Sequence, residues 1–260
     1  MFDVTRRGET RAVASPVSLA GGESWQIAEE VPIALSYNRR NYAVIMGTPQ
    51  DLVDFGTGFS LTEEVVKSVS DIKSLDIILS EQGADLRFKI SETALERLDL
   101  TARRRNMVGS ASCGLCGLEN ADTLFKVLPK VAPQEIDSAI YAKALAELAA
   151  HQPLNAQTRT VHAAAWSDLS GHIIMTREDV GRHTALDKLL GAMALVDRPT
   201  SEGFVVMSSR CSYEIIEKAA KRGVSSLVSI SAPTGFALRK AAEAGMAVYA
   251  RAGESVVRLS

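Results

Sequence analysis

Cys113 and Cys116 are the residues of this chain whose type and spacing point most directly to chemistry, because they form a Cys-x-x-Cys pair. They lie in a run rich in glycine and serine, Gly109-Ser110-Ala111-Ser112-Cys113-Gly114-Leu115-Cys116-Gly117. Glycine loses more conformational freedom on ordering than other residues do, so this run predicts a loop. A thiol pair in a loop is suited to redox or sulfur chemistry, since the accessible thiolate is the reactive form of cysteine.

A zinc site is the first alternative, because Cys-x-x-Cys is a common half of a four-ligand zinc site. The chain offers no second half at ligand spacing: Cys211 stands alone, and the four histidines are scattered, at His151, His162, His172 and His183. A thioredoxin-type pair would follow the first strand directly, whereas Cys113 follows a helical segment and an arginine run. The spacing therefore favours redox or sulfur chemistry and leaves metal binding and inert thiols open.

The length, net charge and cysteine content limit the classes of protein to which this chain can belong. A chain of 260 residues with 46% hydrophobic content is long enough for one large or two ordinary cores. The net charge of −2 carries no polyanion-binding signature, so nucleic acid is not an expected partner. No segment approaches the roughly eighteen apolar residues of a membrane span, and three cysteines without framework spacing fit a reducing cytoplasm. We expect a soluble cytoplasmic protein.

The first hundred residues predict a small α+β domain, which we end at residue 108. Residues 1–23 are polar and predict a poorly ordered arm. Strand-like runs predict a hairpin over residues 31–46 and two further strands at 75–80 and 86–90. Thr48 is expected to cap one helix that begins at Pro49, and Ser91 to cap another.

The second part of the chain, residues 109–260, alternates between helical and strand-like segments. Two strand-like runs follow a helix at 133–150, and then helices and strands alternate through 181–195, 204–207, 212–222, 227–230, 233–244 and 247–249. This alternation predicts an α/β layer with largely parallel strands. The chain as a whole is therefore α+β, with a small α+β domain followed by an α/β domain that begins at the cysteine loop.

Three predicted strand-to-helix junctions carry small polar or charged residues. In an open α/β sheet such junctions meet at the carboxyl edge, where helix N-termini favour an anion or a nucleotide. The candidate ligand-binding residues are Arg182, His183, Ser208, Ser209, Arg210, Ser231 and Thr234. Asp179 and the serines are also ordinary N-cap residues, but cations at a helix start oppose the dipole unless an anion or an acid offsets them. We interpret His162 as a strand histidine in an apolar setting and Cys211 as a packing residue.

Several of these motifs together resemble the FdhD family, the formate dehydrogenase accessory sulfurtransferases. The resemblance covers nearly the whole chain and rests on Gly47-Thr48-Pro49-Gln50-Asp51-Leu52, Ser112-Cys113-Gly114-Leu115-Cys116-Gly117, His162-Ala163-Ala164-Ala165-Trp166, Glu178-Asp179-Val180-Gly181-Arg182-His183-Thr184-Ala185-Leu186-Asp187-Lys188, and Ser208-Ser209-Arg210 with Ser212-Tyr213-Glu214. It implies a second domain similar in fold to the cytidine deaminases, a three-layer α/β/α arrangement without their metal chemistry. The residues agree, since His162-Ala163-Ala164 lacks the glutamate of the deaminase H-x-E motif.

The resemblance implies a cytoplasmic, homodimeric sulfur carrier. Such a protein accepts persulfide sulfur from a cysteine desulfurase and transfers it to the molybdenum cofactor of formate dehydrogenase, the bis(molybdopterin guanine dinucleotide) form. We assign the carried sulfur to Cys113, and Cys116 then acts as a second relay site or as the thiol that resolves the persulfide. The rival hypothesis is a non-catalytic chaperone that holds the cofactor or the apoenzyme.

The cofactor contact that the resemblance implies near the C-terminus falls on Tyr249, Ala250, Arg251, Ala252, Gly253 and Glu254. A guanine nucleotide is expected to occupy the same site. Arg251 supplies a positive charge for phosphate, whereas an acid such as Glu254 is unfavourable beside one.

Overall fold

The computed structural model describes the backbone of residues 2–9, 11–106 and 127–260. Cys113, Cys116 and the predicted domain boundary after residue 108 lie outside the described residues. The described chain forms two main sheets, each with its own hydrophobic core.

The first sheet has five strands in the order β1-β6-β7-β4-β5. These are β1 (Asp3–Arg7), β4 (Val31–Tyr37), β5 (Arg40–Gly47), β6 (Ile72–Ser80) and β7 (Gly83–Ile90), while β2 (Ala14–Ser18) and β3 (Ser24–Ala28) form a separate hairpin. The predicted hairpin of β4 and β5 is confirmed. Its turn residues Asn38 and Arg39 have φ of 48° and 68°, the left-handed conformation that a tight hairpin turn requires.

The prediction of a poorly ordered arm over residues 1–23 is wrong. Strand β1 pairs in parallel with β6, and β2 pairs with β3. All five side chains of β1 are exposed, so this strand is held by main-chain hydrogen bonds and carries no buried apolar pattern. A composition-based argument has no signal for such a strand.

Two helices accompany the first sheet, α1 (Leu52–Thr62) and α2 (Glu92–Asn106), with a short 3-10 turn at Val69–Asp71. The predicted cap at Ser91 is confirmed, because its Oγ accepts a hydrogen bond from the Ala94 N–H at 3.3 Å. The predicted cap at Thr48 is wrong: α1 begins later, at Leu52, and its N-cap residue is Asp51. Thr48 instead makes contacts with the second part of the chain.

The second sheet has six strands in the order β13-β12-β11-β10-β8-β9. They are β8 (His162–Asp168), β9 (Ile173–Asp179), β10 (Gly203–Arg210), β11 (Ser226–Ser231), β12 (Ala247–Ala252) and β13 (Ser255–Arg258). Strands β10, β11 and β12 run parallel, as predicted, but β8 is antiparallel to both its neighbours and β13 is antiparallel to β12. Strands β9, β10, β11 and β12 therefore share one direction, and the prediction of largely parallel strands fails for β8 and β13. Short connections between β8 and β9 and between β12 and β13 allow only antiparallel pairing.

Helices cover both faces of this sheet. One face packs against α5 (Arg182–Leu195), α6 (Tyr213–Lys221) and α7 (Gly235–Ala244), and the other against α3 (Ser138–Glu147) and a 3-10 turn at Leu148–His151. Helix α4 (Pro153–Thr158) follows, and its Leu154 and Asn155 N–H groups donate to the carboxylate of Glu178 in β9. Successive strand residues face opposite layers: Ala164 and Trp166 contact the first, and Ala163 and Ala165 the second. The predicted α/β/α layering is confirmed. Among the residues that the structure describes, no helix combines the length and apolar character needed to cross a bilayer.

Helices α1 and α5 join the two sheets at a contact that only glycine permits. A Cβ atom at Gly58 of α1 would lie 1.8 Å from the carbonyl oxygen of Asp187. A Cβ atom at Gly191 of α5 would lie 1.9 Å from the carbonyl oxygen of Asp54. The two helix backbones are therefore in direct contact, and any larger residue at either glycine must push them apart.

Buried ion pairs reinforce this contact. Lys188 Nζ lies 2.7 Å from Asp179 Oδ2, with both side chains fully buried, and also donates to the Thr48 carbonyl at 3.1 Å. Lys218 Nζ lies 2.9 Å from Asp187 Oδ2. Burial opposes the charged form of Lys218, but attraction and hydrogen bonds to the Asp187 and Glu63 carboxylates together outweigh burial and raise the pKa of this lysine.

We predict that Gly191→Ala destabilises the protein by about 1–3 kcal/mol, because the added methyl group overpacks the contact between α1 and α5. The free energy of unfolding by urea measures the change. The matched control is Gly235→Ala at the start of α7, where the nearest atom to a new Cβ is 3.7 Å away. Equal stability of the two variants would show that the glycine contact does not hold the sheets together.

Candidate functional site

The carboxyl edge of the second sheet carries most of the predicted site. Strands β9, β10 and β11 end at this edge and lead into α5, α6 and α7, and β8 begins there because it runs antiparallel to β9 and β10. The N-termini of three helices therefore point to one edge, where their unpaired N–H groups favour negative charge.

The structure brings the three predicted junctions together. His183 Nε2, in the first turn of α5, lies 2.6 Å from Glu214 Oε2 and 3.3 Å from Ser212 Oγ at the start of α6. The Thr234 N–H, at the start of α7, donates to the Cys211 carbonyl at 3.1 Å. Adjacent junctions are thus in direct contact, as expected for one site.

Helix capping does not account for the polar residues at two of these junctions. The N-cap residue of α5 is Gly181, not Asp179, and the Ser212 hydroxyl makes no capping hydrogen bond to α6. Thr234 is a true cap, since its Oγ1 accepts a hydrogen bond from the Ala237 N–H at 3.2 Å. The alternative explanation by capping therefore holds for α7 alone.

Four basic residues converge at this edge, and we call them the basic cluster: His162, Arg182, His183 and Arg210. Burial lowers the pKa of His162, and the positive charges of Arg182 and Arg210 lower it further. His162 therefore lies within electrostatic reach of both arginines and is neutral at neutral pH. Our interpretation of His162 as a strand histidine is confirmed, because it is the first residue of β8, but that interpretation did not place it at this edge.

Arg182 is the most distinctive member of the basic cluster. Its Nε is buried and has no hydrogen-bond partner among the described residues. A buried donor without a partner costs free energy, and an anionic ligand is one way to satisfy it. The exposed side chain of Arg210 adds a second permanent charge.

The polar residues next to Arg210 have structural partners. Ser208 Oγ accepts a hydrogen bond from the Ala163 N–H at 2.7 Å, and the buried Ser209 hydroxyl donates to the Arg210 carbonyl at 3.1 Å. The carbonyl of Ser231 accepts from the Ser229 hydroxyl at 2.8 Å. These contacts shape the junctions, and the prediction that Ser208, Ser209 and Ser231 bind a ligand stays a prediction.

The carboxylates of residues 178–188 are engaged by structural partners. Glu178 accepts hydrogen bonds from the Leu154 and Asn155 N–H groups at 2.9 and 2.8 Å. Asp179 accepts from the Thr48 N–H at 2.9 Å and pairs with Lys188. The motif that carries the strongest resemblance thus fixes the two sheets together and leaves Arg182 and His183 at the edge.

The predicted C-terminal contact divides into a buried and an exposed part. Tyr249 is 5% exposed and stacks on Tyr141 with ring centroids 4.0 Å apart, and Ala250 is 2% exposed. The following residues are exposed, the first two at the end of β12 and the others in the turn to β13: Arg251, Ala252, Gly253 and Glu254. A ligand at this stretch would therefore contact the exposed residues and not the buried side chains of Tyr249 and Ala250.

The turn forms one wall of a cleft of about 270 Å³. The other wall is helix α3, and the lining residues are Ala142, Leu145, Ala146, Arg251, Gly253, Glu254, Ser255 and Val256. Arg251 and Glu254 both line this cleft, so its charges offset one another. The basic cluster has the clearer excess of positive charge.

Cys211 is the cysteine that the structure describes, and it is unsuited to sulfur transfer. It is fully buried, and burial raises the pKa of its thiol to about 12. The nucleophile in persulfide chemistry is the thiolate, which this thiol does not form at neutral pH. The interpretation of Cys211 as a packing residue is confirmed. Within the described residues, no group of three or more histidine, cysteine, aspartate or glutamate side chains is placed to hold a metal ion.

Sequence reasoning also missed Glu214 as a member of the site. Glu214 is far from His183 in the chain, and nothing in the local pattern around residue 214 indicates their contact. The only available signal was its place in the motif Ser212-Tyr213-Glu214, which contributes to the resemblance.

A solved structure shares this fold. The crystal structure of a protein assigned as a formate dehydrogenase accessory protein from Desulfotalea psychrophila is similar to this chain with a TM-score of 0.69. The match covers 94% of each chain at 23% sequence identity.

Sequence comparisons give the family. The chain is 43% identical over 234 residues to a sulfur carrier protein FdhD of Xanthomonas euvesicatoria pv. vesicatoria, covering 89% of this chain and 83% of that protein. It is 42% identical over 238 residues to a sulfur carrier protein FdhD of Cupriavidus necator, covering 89% and 81%. Residues 28–258 match the sequence model of the FdhD/NarQ family. This chain therefore belongs to the FdhD/NarQ family.

Proposed function

We propose that this chain is a cytoplasmic sulfurtransferase for the molybdenum cofactor of formate dehydrogenase. It receives persulfide sulfur from a cysteine desulfurase on Cys113 and delivers it to the bis(molybdopterin guanine dinucleotide) cofactor, acting as a homodimer. Relatives at 43% and 42% identity that are named sulfur carrier proteins support the sulfur-carrying part of the proposal.

The observation that carries the cofactor-binding part is the basic cluster. Arg182 and Arg210 are permanently charged and lie at the carboxyl edge, and the buried Nε of Arg182 lacks a partner among the described residues. The cofactor carries phosphates in its nucleotide portions, and guanidinium groups bind phosphate through strong charge-assisted hydrogen bonds. The exposed stretch from Arg251 to Glu254, at the end of β12 and in the turn that follows it, is the second proposed contact.

The sulfur-loading step is a thiol–persulfide exchange. The Cys113 thiolate attacks the terminal sulfur of the donor persulfide, so a new S–S bond forms on Cys113. The S–S bond of the donor breaks, and the donor cysteine leaves as a thiolate. Cys211 does not compete, because its buried thiol stays protonated.

Release of the carried sulfur as sulfide requires two electrons. If Cys116 is the resolving thiol, its thiolate attacks the Cys113 sulfur, the terminal sulfur leaves as sulfide, and the two cysteines end as a disulfide. If Cys116 is instead a relay site, the persulfide moves to Cys116 and no disulfide forms. A Cys113–Cys116 disulfide after transfer distinguishes the two roles.

We predict that incubation with a cysteine desulfurase and cysteine adds about 32 Da per sulfur to the intact protein, reversible by reductant. Intact-protein mass spectrometry measures the gain. Cys113→Ala should abolish it, because it removes the proposed carrier thiol. The matched control is Cys211→Ala, which should keep the full gain.

No mass gain on either the unaltered protein or Cys116→Ala with an active desulfurase, or full gain on Cys113→Ala, would contradict the carrier mechanism. The first result would favour the rival function, a non-catalytic chaperone that holds the cofactor or the apoenzyme. Cys116→Ala should still load if Cys116 resolves the persulfide.

We also predict that Arg182→Gln weakens binding of GDP by roughly 1–3 kcal/mol, the range for losing a charge-assisted hydrogen bond. Isothermal titration calorimetry measures the affinity, with phosphate-free guanosine as the comparison ligand. Arg210→Gln should act in the same direction. Arg87→Gln on the first sheet has the same change of charge at an exposed position and serves as the control. Unchanged GDP affinity in both site variants would remove the basic cluster from the cofactor site.

A further inference from the structure

Glu214 is an acid placed inside a cluster of basic groups. It lies in the first turn of α6, where a negative charge stabilises a helix through the dipole. However, its carboxylate contacts His183 of the neighbouring helix α5, with 2.6 Å between Glu214 Oε2 and His183 Nε2. Its side chain is 22% exposed, so this contact is largely shielded from water.

The contact with Glu214 determines that Nε2 of His183 carries a hydrogen atom. Burial alone would raise the pKa of the Glu214 carboxyl, but His183 and Arg182 hold this pKa below its ordinary value. Glu214 is therefore ionised and can only accept hydrogen bonds. At 2.6 Å the Nε2–H of His183 must donate to it.

A serine–histidine–acid catalytic triad does not fit this arrangement. In such a triad the hydroxyl and the carboxylate bind opposite nitrogens of the ring. Here Ser212 Oγ, at 3.3 Å, and Glu214 Oε2 both face Nε2. The described residues give Nδ1 no hydrogen-bond partner, so this nitrogen remains available to a ligand.

We propose that Glu214 is a positioning residue for the phosphate site. By accepting the Nε2–H bond, it holds the imidazole of His183 next to Arg182 with Nδ1 left for a phosphate oxygen. An imidazolium with hydrogen on both nitrogens satisfies the carboxylate and the phosphate together. This inference rests on the proposed nucleotide site. It adds Glu214 to that site, although neither helix capping nor charge attraction to an anion would place an acid there.

The charged and titratable groups around His183 allow an experiment to distinguish a positioning role of Glu214 from a simple charge effect. Arg182 is adjacent on α5, Arg210 and His162 come from β10 and β8, and Asp179 is already engaged by Lys188. In this setting Glu214 is a negative charge near a proposed anion. Simple electrostatics therefore predicts that its removal strengthens anion binding, whereas a positioning role predicts that its removal weakens binding.

The experiment measures GDP affinity by calorimetry for Glu214→Ala, Glu214→Gln and the matched control Glu217→Ala. Glu217 is on the same helix and pairs with Lys221 at 3.1 Å. Glu214→Ala should weaken GDP binding by about threefold or more, and Glu217→Ala should leave it unchanged. Glu214→Gln should recover part of the loss, because its amide oxygen can still accept from Nε2–H.

A double-mutant cycle with His183→Gln separates positioning from a general structural effect. In the His183→Gln background, Glu214→Ala should no longer weaken GDP binding, because the residue it positions is absent. Equal or tighter GDP binding by Glu214→Ala in the unaltered background, or an equal loss in both backgrounds, would overturn the inference.

Failure of the proposed function gives a different result. All Glu214 variants should still load sulfur on Cys113, since that step does not use the phosphate site. No GDP binding by the unaltered protein would overturn the nucleotide site and this role of Glu214 together. Absence of sulfur loading with intact GDP binding would overturn the carrier mechanism alone.

Discussion

The direct contact between helices α1 and α5 is the constraint on which the rest of the structure depends. Gly58 and Gly191 let the two backbones touch, and this close approach buries the charged groups that lie beside it. A buried charge is costly unless it is paired, so Lys188 with Asp179 and Lys218 with Asp187 can exist only if the helices hold this position. The helix contact and the ion pairs therefore require one another.

This contact also determines the geometry of the proposed site. Asp179 ends β9, and Arg182 begins α5 three residues later. Because Asp179 accepts hydrogen bonds from the Thr48 and Gly181 N–H groups, the junction is fixed from both sides. Arg182 and His183 are thus presented at the sheet edge by a segment whose carboxylates are fully engaged elsewhere. The positive charge of Arg182 is not neutralised from within the motif, which suits this residue to an anionic ligand.

Much of the fold could be predicted from the sequence, because helices and strands of the α/β domain have clear hydrophobic periodicity. The meeting of the three junctions followed from the general behaviour of strand ends in an α/β sheet. Strand β1 could not be predicted, since its exposed side chains carry no pattern. The hydrogen bonds of Thr48 to Asp179 and Val180 could not be predicted either, because these partners are distant in the chain.

The candidate site could be predicted only in part, because local sequence places some of its residues and long-range contacts place the others. Arg182, His183 and Arg210 follow strand-like runs, so local sequence was enough to place them at junctions. His162 and Glu214 join them only through the order of strands in the sheet, with β8 between β10 and β9. Antiparallel pairing of β8 brings its first residue to the edge, and an expectation of parallel strands would place that residue at the opposite edge.

The central claim is that sulfur passes from Cys113 to the cofactor of formate dehydrogenase, and a single-turnover transfer tests it most directly. The protein is loaded with radiolabelled sulfur by a cysteine desulfurase, separated from the donor, and mixed with inactive formate dehydrogenase that holds its cofactor. We expect label to move to the dehydrogenase together with the appearance of formate oxidation, and neither event with Cys113→Ala. Activation of the dehydrogenase by Cys113→Ala to the level of the unaltered protein would contradict the account.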